Sequence, residues 1–219
     1  MTAFLYLTSM KITLTIYSLL LVASAGAQTD VTLFDRHIDA QGAHIVEEFV
    51  SLLEIPNVAY DLPNINKNAQ YIMGELTQRG VSTQLLEHPG VPPIVYGYLA
   101  SKKATRTLAF YVHYDGQPVD KTRWKHDPWT PKMYDKSLAE GGVEIPFPKE
   151  GEKIDPSSRI YARSAGDDKG PIIGILAAID AMQAEGIEPT SNFIFFFEGQ
   201  EEAGSEHLRS YLEDHSELL

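Results

Sequence analysis

Apolar positions recur at helical spacing from Phe34 to Leu53, where Ile38, Ile45, Val46, Phe49, Val50 and Leu53 form one stripe. Pro56 closes that helix. A second helix is predicted from about Ile65 to Gln78, with Gly80 as its C-terminal stop. Short strands follow at Ser82–Glu87 and Ile94–Leu99, and a stronger one at Thr107–Val112. The last is apolar almost throughout and is expected to be buried on both faces. Residues 121–157 are rich in Trp, Pro, Gly and charge and are expected to form a long loop or insertion. Arg159–Ala162 is a weak strand. Pro171 suits the first turn of a helix that continues through Ile172, Ile173, Ile175, Leu176, Ile179 and Met182 and stops near Gly186. Phe193–Phe197 is the clearest buried strand, and Ser205 is expected to cap a last helix through Leu208, Tyr211 and Leu212. Strands alternating with helices predict an α/β fold, a mainly parallel sheet flanked by helices.

The N-terminus reads differently. Lys11 is the only charge before Asp30, Ile12–Val22 is largely apolar, and Ala25-Gly26-Ala27 supplies the small-x-small pattern of a signal-peptidase site. Residues 1–27 are therefore expected to be a signal peptide, with 28–219 as the mature chain. The apolar run is short for a membrane span and lacks a basic stop, so no stable span is expected after cleavage. The chain has no cysteine, which suits a bacterial periplasm or exterior and removes disulfides and thiolate metal sites from consideration. An exported, bacterial protein is the expectation. A net charge of -12, with no basic stripe, argues against nucleic-acid binding. Hydrophobic content of 43% is ordinary for a chain that buries a core.

Three polar segments follow three of the apolar runs: His113-Tyr-Asp115-Gly-Gln-Pro118, Ala165-Gly-Asp167-Asp168-Lys-Gly-Pro171 and Glu198-Gly-Gln-Glu201-Glu202-Ala-Gly-Ser205. In open α/β sheets, ligands gather beyond the carboxyl ends of strands. Imidazole with several carboxylates and no thiolate suits zinc, manganese or cobalt. One carboxylate shared between two such ions would hold them roughly 3.5–4 Å apart, close enough to activate a bridging water. His113 and Asp115 point to the same side of an extended backbone, so Asp115 can accept a hydrogen bond from the imidazole and orient the ring. Each segment has a bland alternative. A single His after a strand is commonly a core or surface residue, acids before a helix favour its dipole, and Glu201-Glu202 can be a solvated helix approach. Their joint occurrence at successive strand ends is the informative feature.

The segments His-x-Asp-x-x-Pro at His113–Pro118, Asp-Asp-Lys-Gly at Asp167–Gly170 and Glu-Glu-Ala-Gly-Ser at Glu201–Ser205 resemble those of the M20 metallopeptidases. That family includes carnosine-type dipeptidases, glutamate carboxypeptidases, aminoacylases and desuccinylases. The similarity extends from about Ile38 and includes Ile55-Pro-Asn57 and Asp61-Leu-Pro-Asn64. The resemblance implies two divalent ions, zinc above manganese or cobalt. It makes His113 a ligand of one ion, Asp167 the bridging carboxylate and Glu202 a ligand of the other. Glu201 becomes the general base and Asp115 the partner that orients His113. It also implies a cis Asp167–Asp168 peptide bond, and gives Asp168, Lys169 and Gly170 no metal role.

Family members draw two more ligands and a lid domain, which mediates dimers in many of them, from later in the chain. The expectation is therefore an N-terminal portion of a catalytic domain, without the lid or dimerisation domain and inactive alone. His207 and His215 are not expected to substitute as ligands. The leading function is two-metal hydrolysis of a peptide bond in a dipeptide or at a C-terminal residue. Hydrolysis of an N-acyl amino acid, and a non-catalytic binding protein on the same scaffold, remain alternatives.

Overall fold

In the computed structural model, which describes residues 32–218, the first apolar stripe becomes helix α1, Thr32–Leu53. The expected signal peptide lies outside the described residues. Helix α2, Leu62–Gln78, starts where Asp61 accepts the main-chain N–H of Asn64, with a proline in its first turn. Ile65, Ala69, Ile72 and Leu76 recur at helical spacing along it and are fully buried. Strands β1 (Ser82–Leu86), β2 (Ile94–Leu99) and β3 (Thr107–His113) follow. Then come short strands β4 (Lys132–Tyr134), β5 (Glu144–Ile145) and β6 (Arg159–Tyr161), helix α3 (Lys169–Ala184), strand β7 (Asn192–Glu198) and helix α4 (Leu208–Asp214).

The main sheet runs in the order β1-β2-β7-β3. It is mixed, which refines the expectation of a mainly parallel sheet: β3 pairs with β7 in parallel, whereas β1–β2 and β2–β7 are antiparallel. The α/β class holds. Strand β7 lies inside the sheet, and its side chains alternate between two cores. Phe195 and Phe197 pack with Leu52, Ile72, Ile172 and Leu176, while Ile194 and Phe196 pack with Leu86, Ile94 and Tyr211. Each such buried aromatic contributes about 1.5–3 kcal/mol. That burial explains the unbroken apolar run in β7.

Three expectations change. Strand β3 is not buried on both faces. It is an edge of the described sheet, and Leu108 and Tyr111 are 42% and 50% exposed. Residues 121–157 are not wholly irregular, since β4 pairs with both β5 and β6 in a small antiparallel sheet. Ser205 does not cap the last helix directly. It has a left-handed φ of 51°, and α4 starts three residues later, behind His207. Among the described residues no helix is long and apolar enough to cross a membrane.

Candidate active site

The parallel ladder between β3 and β7 ends with His113 opposite Glu198. The turns that follow these strands are therefore neighbours by construction. The turn before α3 reaches the same place, where an Asp168 carboxylate oxygen accepts the main-chain N–H of His113 at 3.5 Å. Three segments distant in sequence, 113–118, 165–171 and 198–205, meet at the carboxyl end of one strand pair.

His113 is buried between them. Its Nε2 lies 3.0 Å from Asp167 Oδ1 and 3.7 Å from Glu201 Oε2. Its Nδ1 faces Asp115, 3.3 Å from the main-chain oxygen and 3.5 Å from carboxylate Oδ1. The Asp115 carboxylate has a second task that the sequence did not reveal. Fully buried, it accepts the main-chain N–H of Glu201 on Oδ1 at 3.1 Å and that of Glu202 on Oδ2 at 3.0 Å. Asp115 thus ties the first polar turn to the third. The Asp167–Asp168 peptide bond is cis.

The electrostatics follow from this crowding. Burial lowers the pKa of His113, but Asp115, Glu201 and Asp168 outweigh it and hold the ring at about 9. Burial raises the pKa of Asp168, offset only in part by His113. Burial likewise raises that of Glu198, whose Oε2 accepts the Tyr111 hydroxyl at 2.5 Å.

Imidazole and carboxylate oxygens, in a surplus of negative charge, fit a divalent cation in chemistry. Geometrically, the expected ligands are only partly gathered. His113 and Asp167 face each other, whereas Glu202 Oε2 accepts from Gln117 Nε2 at 2.6 Å. Among the described residues no group of three or more His, Asp and Glu is arranged to hold a metal. His207 is engaged elsewhere, its Nδ1 lying 2.9 Å from Gln200 Oε1.

Two residues given no role by the sequence are built into the site's support. Lys169 is fully buried, and its Nζ donates to the main-chain oxygens of Leu52 and Ile55. Asn57 bonds to both Tyr114 and Ser164. The available signal was that both fall in segments carrying the family resemblance, Ile55-Pro-Asn57 and Asp-Asp-Lys-Gly.

Comparison with known proteins shows the family. The profile of peptidase family M20/M25/M40 matches residues 109–218. A Cys-Gly metallodipeptidase of Candida albicans is 32% identical over 189 residues, covering 79% of this chain and 35% of the relative. A Beta-Ala-His dipeptidase of Homo sapiens is 30% identical over 123 residues, covering 56% of this chain and 20% of the relative. The structure of a di-peptidase from Saccharomyces cerevisiae superposes with a TM-score of 0.66 at 23% identity, covering 85% of this chain and 38% of that one. The chain thus spans about a third of the length of the fungal relatives it matches. These relatives also correct the expected localisation. They come from fungi and mammals, which is at odds with an exported bacterial protein, and the absence of cysteine carries no weight against that.

Proposed function

The chain belongs to peptidase family M20/M25/M40, and from that premise we propose that it carries the water-activating part of a metal-dependent dipeptidase. The observation that carries this reading is the convergence of His113, Asp115, Asp167 and Glu201 on the ends of β3 and β7. In the proposal His113 would hold one divalent ion, Glu202 would hold a second, and Asp167 would offer its carboxylate to both. Bound there, the ions would lower the pKa of a water and polarise the scissile carbonyl. Zinc is the preferred identity, with manganese and cobalt compatible with the same donors.

The chain's own residues have separable tasks. Glu201, half-exposed, is free to take a proton from the attacking water and return it to the leaving amine. Its main-chain N–H is held by Asp115, which sets where that carboxylate starts. Asp115 also faces His113 Nδ1 and so leaves Nε2 as the ligating nitrogen. Glu202 would have to leave Gln117 to become a ligand.

Small dipeptides are the proposed substrates, supported by the Cys-Gly and Beta-Ala-His dipeptidases among the relatives. The test is metal uptake by the purified protein, with Cys-Gly and β-Ala-His hydrolysis measured beside N-acetyl amino acids. Sub-micromolar zinc or cobalt binding, abolished by His113→Ala and by Asp167→Ala, is expected. Dipeptides are expected to be preferred wherever turnover is detected. Absence of metal uptake would sink the reading.

A further inference from the structure

We propose that Asn57 is a positioning residue that fastens two of the candidate site's three turns to each other; the role rests on the hydrolase reading above. Asn57 is fully buried in the segment after α1, far from the site residues in sequence. Its Nδ2 donates to the main-chain oxygen of Tyr114 at 2.8 Å and to Ser164 Oγ at 2.9 Å. Tyr114 stands between His113 and Asp115, and Ser164 lies three residues before Asp167. The main-chain oxygen of Asn57 accepts the N–H of Gly116, next to Asp115, at 2.8 Å. Its Oδ1 accepts from Trp129 Nε1 at 3.4 Å.

A carboxamide suits this place because it donates twice and accepts at the same end. The fit is tight. A Cβ on Gly116 would stand 2.3 Å from Ser164 Oγ and 3.1 Å from Asn57 Nδ2. Asn57 is itself held from the far side. Lys169 Nζ donates to Leu52 and Ile55, and the Lys169 main-chain N–H bonds Ser164 O at 3.1 Å. The links from Lys169 through residues 52–57 to Ser164 close on themselves and hold the residues on either side of the Asp167 turn. The buried Asn68, by contrast, donates to the main-chain oxygens of Pro56 and Asn64, neither of which adjoins a candidate site residue. Asn57 instead bonds across to residues beside His113, Asp115 and Asp167.

The test is Asn57→Asp, which keeps the shape but replaces the double donor with an acceptor. Co2+ alone is the probe, titrated into the protein and followed by its visible spectrum. Amide hydrogen exchange is measured in parallel, and the core truncation Ile72→Val controls for lost stability. Co2+ affinity is expected to fall about 10- to 100-fold in Asn57→Asp, with a shifted spectrum and faster exchange confined to 113–117 and 163–168. Ile72→Val should lower Tm without either change. Ser164→Ala removes one of the two bonds and should give a smaller loss of the same kind, which keeps the test open if Asn57→Asp does not fold. Affinity within twofold of the unsubstituted protein, or a loss matched by Ile72→Val at equal Tm, overturns the proposal. If the unsubstituted protein takes up no Co2+, the hydrolase reading fails. Exchange then decides on Asn57 alone, and unchanged protection in those two segments overturns its role.

Discussion

The carboxylate of Asp115 holds the main chain of Glu201, its Oδ1 accepting the Glu201 N–H at 3.1 Å with no solvent access to Asp115. The residue that orients the imidazole is therefore also the anchor of the turn that carries the proposed base.

Asp115→Asn turns one acceptor into a donor that faces an N–H. Leaving that buried pair unsatisfied costs about 1–3 kcal/mol. For a chain of this size Tm should fall by roughly 2–4 °C per kcal/mol, read by thermal unfolding. Zinc affinity should fall as well, because the carboxylate charge beside His113 Nδ1 is lost while the Asp115 main-chain oxygen stays. An unchanged Tm would show that the N–H left facing the amide finds another acceptor.

Gln117 competes for Glu202. Removing it in Gln117→Ala releases a hydrogen bond of about 0.5–1.5 kcal/mol that Glu202 must otherwise give up on binding an ion. Zinc affinity, measured calorimetrically, should rise a few-fold. No rise would argue that Glu202 is not a ligand.

Gly199 follows β7 directly, and a Cβ there would come within 2.6 Å of Tyr114 Cζ. Tyr114 is fully buried, so its ring has no room to withdraw. Gly199→Ala should cost about 1–3 kcal/mol by overpacking, visible as a lower denaturant midpoint. Metal binding should weaken too, because the 201–205 turn must move.

Arg79 ties three helices together by pairing with Glu48 of α1, Glu75 of α2 and Asp180 of α3, each at 2.7 Å. Arg79→Met leaves three carboxylates facing one another and should cost about 3–5 kcal/mol. Burial already raises the pKa of Glu48, with Arg79 pulling the other way. Without Arg79 the folded-state pKa rises further above its unfolded value. Folding then takes up protons, so stability of the variant recovers as pH falls into that range. The gap in Tm between the unsubstituted protein and Arg79→Met should narrow from pH 7 to pH 5. A constant gap would refute the electrostatic account.

Much of the fold was legible in the sequence because burial leaves local marks. The helical spacing of Ile65, Ala69, Ile72 and Leu76 follows from one buried face. The unbroken apolar run of β7 follows from two. The same logic misled for β3, whose apolar residues Leu108 and Tyr111 are exposed on an edge of the described sheet. An apolar run records a preference for burial and says nothing about which neighbour supplies it. Ser205 carried a capping signature, but its left-handed φ puts the helix start three residues on.

The sequence alone determined which residue types the candidate site offers and that two of its segments follow the apolar runs of β3 and β7, because imidazole and carboxylate chemistry is a property of side chains and strand ends are marked by where apolar runs stop. That the Asp167 turn reaches them from the start of α3 was decided by the fold. Tertiary structure decided which atoms meet: Asp115 on the Glu201 and Glu202 amides, Glu202 on Gln117, Asn57 across to Tyr114 and Ser164. Those contacts join residues 57 to 107 positions apart in the chain. They depend on sheet order and on the register that sets His113 against Glu198, which arise only when distant segments pack together.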